Sequence, residues 1–320
     1  MALSKEQLLH AYQKMTEIRE FEERLHTENL SGEIPGFIHL YAGEEAIAVG
    51  VCENLTDADY IASTHRGHGH CIAKGCDIEK MMYEIYGRYD GLCHGKGGSM
   101  HIADLSTGML GANGIVGGGP PLMIGAALTA KTKGEGNVAV SFTGDGGSNQ
   151  GLVFEAMNMA VVLNLPAIFV FENNGIGEAT GASYSVGSKD ISARAESFGL
   201  PAYKIDGTDF ETVYNTAKEV IDRARSGGGP AVIEAQCTRF YGHFEGDRYL
   251  FRTKEQLKKL RGETDPLIKF REKFGKKVGV KKLDSLDQAA RELVDQAVAK
   301  AHEAAWPEPS EVLTDVYVSY

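Results

Sequence analysis

VAVSFTGDGGSNQGLVFEAMNMAVVLNLPAIFVFENNGIG, running from Val138 to Gly177, holds two apolar runs with a helical pattern between them. The first run ends in Gly144-Asp145-Gly146 and the second in Glu172-Asn173-Asn174. Short apolar runs bounded by turn residues read as buried strands. Val153, Ala156, Met157, Ala160 and Val161 recur at helical spacing, so the intervening helix carries one apolar face. The return strand is expected over 166–171, with Pro166 at its first position, where a missing N–H is tolerated. Strand, crossover helix and second parallel strand predict an α/β fold, a mostly parallel sheet flanked by helices. Asp145 and Asn174 then stand at the carboxyl ends of neighbouring strands, the edge at which open α/β sheets bind ligands.

Asp145 offers a hard anionic oxygen and Asn174 a neutral amide oxygen, a pair that suits Mg²⁺ or Ca²⁺ rather than zinc. Gly146 and Gly147 leave backbone N–H groups open at the start of the helix, where a phosphate is favoured. Metal plus diphosphate is the economical reading. A dinucleotide fingerprint is the competitor, but its third glycine would fall on Asn149, and no acidic residue follows about twenty positions on. A structural turn in which Asp145 only caps the helix stays open at this point.

The remaining chain sets bounds on this reading. Its 320 residues show no dividing linker, so one domain is expected over 1–320, with an N-terminal helix at 4–29 and a C-terminal helical region at 253–306. A formal charge of −11 without a basic run makes nucleic acid and anionic membrane poor partners. Five cysteines with no C-x-x-C pair point to reduced thiols in the cytoplasm. No secretory pattern opens MALSKEQLLHAYQKM, and no run approaches the ~18 apolar residues of a membrane span.

Several loops are dense in functional residue types. Ser4 and Gln7 form a capping box for the first helix, and Thr208 with Glu211 reads as another. Gly36 to Ala46, containing Phe37 and His39, leads into a helix that runs to about Asn54. His65-Arg66-Gly67-His68-Gly69-His70 has alternate histidines, yet its glycines argue for a tight loop, and Arg66 favours an anion over a metal. Gly95-Lys96-Gly97-Gly98-Ser99-Met100-His101 does not complete a P-loop. Gly114 to Pro121 is a further glycine-rich loop, and Gln150 opens the central helix. An apolar strand is expected over 231–235, and the following Thr238 to Asp247 places His243 beyond its ligand-binding end.

Gly144-Asp145-Gly146 followed by Asn173-Asn174 resembles the thiamine diphosphate motif, and the chain as a whole resembles alpha subunits of the 2-oxo acid dehydrogenase complexes. That resemblance implies the diphosphate-binding half of the thiamin diphosphate-binding fold. It implies Mg²⁺ held by Asp145, Asn174 and the main-chain oxygen of Ile176, where the family often has Tyr. Cofactor contacts are implied for His65, Arg66, Gly114, Val116, Gly146, Gly147 and His243, with His68 near the reacting carbon and Phe37, His39 and Gln150 facing substrate. Phe244 stands where some relatives carry a regulatory serine. The resemblance further implies an activating Glu on a beta subunit in a two-alpha, two-beta heterotetramer, and a lipoyl-bearing acyltransferase as acceptor. Within the family, Thr64 to His70, Gly117 to Pro121 and Gly242 to Asp247 look most like acetoin dehydrogenase alpha subunits. There the implied reaction cleaves acetoin to acetaldehyde and a cofactor-bound two-carbon unit that passes to lipoyl-lysine. Alpha subunits acting on pyruvate or branched-chain 2-oxo acids are the alternative.

Overall fold

The computed structural model describes residues 3–248 and 251–318. Met1 and Ala2, which open the N-terminal stretch read above, and Ser319 and Tyr320, which close the tail, lie outside the described residues. Its strands are β1 (Tyr60–Ala62), β2 (Met109–Gly111), β3 (Ala139–Gly144), β4 (Ala167–Asn173), β5 (Ile176–Gly177), β6 (Thr180–Gly181), β7 (Ala202–Asp206) and β8 (Ala231–Gln236). Helices α1 (Lys5–Glu28), α2 (Glu45–Cys52), α3 (His68–Lys74), α4 (Ile78–Ile85), α5 (Gly119–Lys133) and α6 (Gly151–Val162) lie in the first half. The second half adds α7 (Ala182–Ser185), α8 (Ile191–Glu196), α9 (Phe210–Arg225), α10 (Lys254–Thr264), α11 (Pro266–Val278) and α12 (Val280–Glu303).

Six strands form one sheet in the order β2-β1-β3-β4-β8-β7, every neighbouring pair parallel, and β5 with β6 makes a separate antiparallel hairpin. The β3–α6–β4 unit expected from the central stretch is present, with Ala139 paired to Ala167 and Gly144 to Glu172. Along β4, Ile168 and Val170 enter one apolar cluster and Ala167, Phe169 and Phe171 the other. Both faces of the sheet are therefore covered, which is why its strands read as continuous apolar runs. On α6, Val153, Ala156, Met157 and Ala160 are buried, whereas Val162 is exposed.

The strand order reverses between β1 and β3: the chain leaves β1 toward β2 and leaves β3 toward β4. Such a switch point opens a crevice beyond the strand ends. Asp59, just before β1, ties its start together by accepting from Thr56 N at 2.7 Å, Val138 N at 2.8 Å and Arg225 Nη1 at 2.8 Å. Helix α1 packs along α12 and against α11, where Tyr12 meets Phe270 at 5.2 Å between ring centroids.

Three local expectations are corrected. His68 to His70 belong to α3 rather than to a loop, because Gly67 starts a helix and the following residues close its first turn. The cap of α9 is Asp209, whose side chain accepts from Glu211 N, not Thr208; Asp209 has the extended backbone that a cap requires. The long C-terminal helix, for which apolar spacing at Leu286, Ala290, Leu293, Val294, Ala297 and Ala301 predicts residues 284–305, begins at Val280 and ends at Glu303, and Leu293 is exposed.

Candidate functional site

Beyond the carboxyl ends of the central strands lies a cavity of about 310 Å³. The end of β1 brings Thr64, His65 and Arg66 to it, the end of β3 brings Asp145, Gly146 and Gly147, and the end of β4 brings Glu172, Asn174 and Ile176. Val116, Gly117 and Gln150 close one wall, while Glu44, Arg239 and His243 arrive from segments distant in sequence. The loops after β3 and β4 touch: a Cβ added at Gly177 would lie 3.0 Å from Gly146 Cα. Glycine is required there by close backbone approach.

Asp145 is buried, and its Oδ2 has no hydrogen-bond partner. Burial outweighs the pull of nearby N–H groups and of Arg239, raising its carboxyl to about 6. An orphaned, buried carboxylate oxygen facing a cavity is a costly arrangement for the chain alone and a ready ligand for a hard cation. Asn174 Nδ2 donates to Glu44 Oε1 at 2.9 Å, and Asn174 Oδ1 accepts from Ile176 N at 3.3 Å. Burial, followed by repulsion from Glu172, pushes the Glu44 carboxyl upward. Glu172 in turn accepts from Tyr41 and bonds His70 Nε2 at 2.9 Å, while Ser63 Oγ meets His70 Nδ1 at 2.7 Å.

Cationic and imidazole groups occupy the other side. Arg66 donates to Leu40 O at 3.0 Å, to His243 O, and to His243 Nδ1 at 3.2 Å. Burial and then the neighbouring charge of Arg239 pull Arg66 down to about 9, so it stays protonated at neutral pH. Two oxygen ligands and two guanidinium groups facing one cavity provide for a metal-bound anion.

The expected residues do not all reach this cavity. His65, Arg66, Val116, Asp145, Gly146, Gly147, Gln150, Asn174, Ile176 and His243 line it. His68, expected near a reacting carbon, stands elsewhere: it is wholly buried, with Nδ1 3.1 Å from Glu22 and Nε2 2.9 Å from Ser99. Gly114 is off the lining, although its neighbours Asn113 and Ile115 are on it. Phe37 is exposed against Phe244, and His39 is buried beside His65 and His243 without lining the cavity. Glu44 and Glu172 also line the cavity, although no sequence motif assigns them a role; for Glu172, its place in the Glu-Asn-Asn terminus of β4 is the available signal.

The Gly95 to His101 motif has a structural explanation. Its loop wraps around the buried Glu84, which accepts from the backbone N–H of Cys93, Gly95, Gly97 and Gly98 at 2.7, 2.9, 2.7 and 3.1 Å. Lys96 faces the C-terminal tail, bonding Thr314 and Asp315.

The family model described as dehydrogenase E1 component matches residues 13–310. The chain belongs to the dehydrogenase E1 component family. The E1 chain is 52% identical over 320 residues to the alpha subunit of acetoin:2,6-dichlorophenolindophenol oxidoreductase of Bacillus subtilis, covering 100% of this chain and 96% of that protein. It is 54% identical over 326 residues to the subunit of the same name from Cupriavidus necator, covering 100% and 97%. Against the pyruvate dehydrogenase E1 component subunit alpha of Rhizobium meliloti it is 37% identical over 315 residues, covering 98% and 90%. The E1 chain is thus a component of a thiamine diphosphate-dependent oxidoreductase. Its residues fit that cofactor: Asp145 Oδ2 lacks a partner, the amide of Asn174 is held by Glu44, and the cationic Arg66 and Arg239 line the same cavity, where a phosphate is favoured.

Proposed function

We propose that this chain is the alpha subunit of an acetoin-cleaving dehydrogenase, acting with a beta subunit and passing a two-carbon unit to a lipoyl-bearing acyltransferase. The observation that carries the reading is the unpartnered Asp145 Oδ2 facing a cavity shared with Asn174, Arg66 and His243 in a chain more than half identical to acetoin:2,6-dichlorophenolindophenol oxidoreductase alpha subunits. Asp145, Asn174 and the carbonyl of Ile176 hold Mg²⁺. His65, Arg66, Gly146, Gly147 and His243 bind the diphosphate, Val116 supports the cofactor's bend, and Gln150 faces substrate. When bound, thiamine diphosphate supplies the carbanion chemistry and the electron sink. The chain's own part is to orient it, to neutralise its charge and to keep water out.

An exposed apolar surface beside the cavity supports a partner subunit. Leu122 and Leu128 on α5, Leu152, Met159 and Val162 on α6, and Ile115 at the cavity rim are exposed. Helices α5 and α6 pack against each other, so these exposed apolar side chains gather on one pair of elements, as at an interaction site. The beta subunit covers it in a two-alpha, two-beta assembly and contributes the activating Glu. No helix among the described residues is long and apolar enough to cross a membrane. The assembly works in the cytoplasm.

The test is reduction of dichlorophenolindophenol by the chain co-expressed with its beta subunit, supplied with thiamine diphosphate and Mg²⁺. Reduction with acetoin and not with pyruvate is the expected result. Preference for pyruvate overturns the substrate and keeps the cofactor; absence of cofactor binding overturns the site.

A further inference from the structure

The way helix α3 terminates brings two cysteines together. Gly75 takes the left-handed conformation, φ 103°, that stops the helix. Its N–H bonds Ile72 O at 3.1 Å, and the N–H of Cys76 reaches back to Cys71 O at 3.0 Å. This is the bond pattern of a Schellman motif, which sets the side chains at its two ends, here Cys71 and Cys76, against each other. With ordinary backbone bond lengths the 3.0 Å bond keeps their Cα atoms within about 7 Å, the limit at which a disulfide closes. Both thiols are free, Cys71 wholly buried and Cys76 4% exposed.

We propose that Cys71 and Cys76 form an oxidisable dithiol, a modification site at which a hydroperoxide converts the pair to a reversible disulfide. Cys76 is the attacking thiol and Cys71 the resolving one. Cys76 Sγ lies 3.6 Å from Thr107 Oγ1. A hydrogen bond from the Cys71 thiol outweighs burial and, with Thr107, holds the Cys76 thiol below its usual value; the same contact, followed by burial, pushes Cys71 up. Lys74 adds to the pull on Cys76, and Asp104 opposes it. The thiolate is the nucleophile, so the pair is polarised toward attack by Cys76. Gly75 and Asp77 on either side of it are exposed, and the space beside Gly75 is open, which gives a small peroxide its approach.

Cys76 sulfur attacks one peroxide oxygen and the O–O bond breaks, leaving a sulfenic acid on Cys76. The other oxygen departs with the thiol's proton as an alcohol, or as water when the oxidant is hydrogen peroxide. Cys71 sulfur then attacks the sulfenic sulfur, the S–O bond breaks, and the hydroxyl leaves with the Cys71 proton as water. The two sulfurs are oxidised and the peroxide is reduced. Transient, redox-sensing bridges are the usual disulfides where thiols are kept reduced. The pair lies outside the cavity lining, yet the bridge fixes the last turn of α3 next to His70, whose Nε2 stands 2.9 Å from Glu172 in the cavity wall.

Peptide mass spectrometry of the full chain, treated with limiting hydrogen peroxide and then alkylated, tests the site independently of the proposed reaction. Trypsin cuts after Arg66, Lys74 and Lys80, so peptides 67–74 and 75–80 stay joined only if Cys71 and Cys76 are bridged. The joined pair is expected as the main oxidised product, and dithiothreitol is expected to separate it. Both Cys71→Ser and Cys76→Ser lose it. With dimedone present, Cys71→Ser is expected to carry a trapped sulfenic acid at Cys76, whereas Cys76→Ser carries none at Cys71. Circular dichroism shows that each variant folds, and the unaltered chain tests the bridge without any variant. Peroxide doses that oxidise Cys52, Cys93 or Cys237 while peptides 67–74 and 75–80 stay separate overturn the proposal. A bridge from either cysteine to one of those three, or trapping at Cys71 in a folded Cys76→Ser chain, overturns it as well.

Discussion

Asn174 Nδ2 donates to Glu44 Oε1 at 2.9 Å, which fixes which end of the amide is left for a ligand. Glu44 precedes α2, and Asn174 ends the β4 strand region, so the contact joins two segments 130 positions apart. A partner that orients a metal ligand affects metal affinity by roughly 10–100-fold. Glu44→Ala is therefore expected to weaken Mg²⁺-dependent cofactor loading by about that factor, while Glu44→Gln, which keeps an acceptor oxygen, retains it. Calorimetry with thiamine diphosphate at fixed Mg²⁺ separates the two variants; equal loading in both would show that Glu44 does not position Asn174.

Asp145→Ala removes the one buried carboxylate oxygen that lacks a partner in the cavity wall. Loss of Mg²⁺ and cofactor retention is expected with assembly onto the beta subunit intact. Normal magnesium content together with full acetoin-dependent dye reduction would sink this assignment.

His68 is wholly buried and does not line the cavity. Its two ring nitrogens are engaged by Glu22 and Ser99 inside the protein. His68→Ala leaves both partners unsatisfied and is expected to cost about 2–4 kcal/mol of stability, with cofactor affinity of the folded fraction unchanged. Thermal unfolding and cofactor titration read the two effects apart.

Glu84 collects four backbone N–H groups of the Gly95 loop region. Glu84→Ala orphans all four in the interior and is expected to cost about 3 kcal/mol or more. Gly97→Ala is expected to be harmful as well, because a Cβ there would lie 2.7 Å from His101 O. Denaturant midpoints at an unchanged slope are the measurement.

Asp59 supplies the pH dependence. Burial alone would raise its carboxyl, but hydrogen bonds from Arg225, Thr56 N and Val138 N outweigh that and hold it below the usual value. A carboxyl depressed on folding stabilises above the unfolded value of about 3.9, and that contribution is lost as pH falls through the folded value. Asp59→Asn is expected to cost roughly 3 kcal/mol at pH 7, with the difference from the unaltered chain shrinking below about pH 4. Melting curves from pH 3 to 7 check the sign; a gap that widens toward acid contradicts it.

The sequence alone determined what local spacing encodes. The β3–α6–β4 unit, the capping box of Ser4, the strand expected at 231–235 and the meeting of Asp145 with Asn174 all follow from apolar periods and from turn residues within a few dozen positions. Strands β1 and β2, of three residues each, and the edge strand β7, only partly buried, left no comparable signal. Short or half-exposed strands take their stability from neighbours, not from their own pattern. Tertiary structure alone decided which side chains share the cavity. Glu44 and Arg239 reach it through long-range packing, and His68 turns inward because Glu22 of α1 and Ser99 of the Gly95 loop satisfy both its nitrogens. Periodicity fixes the face a residue takes on its own element; what lies opposite that face depends on how separate elements pack.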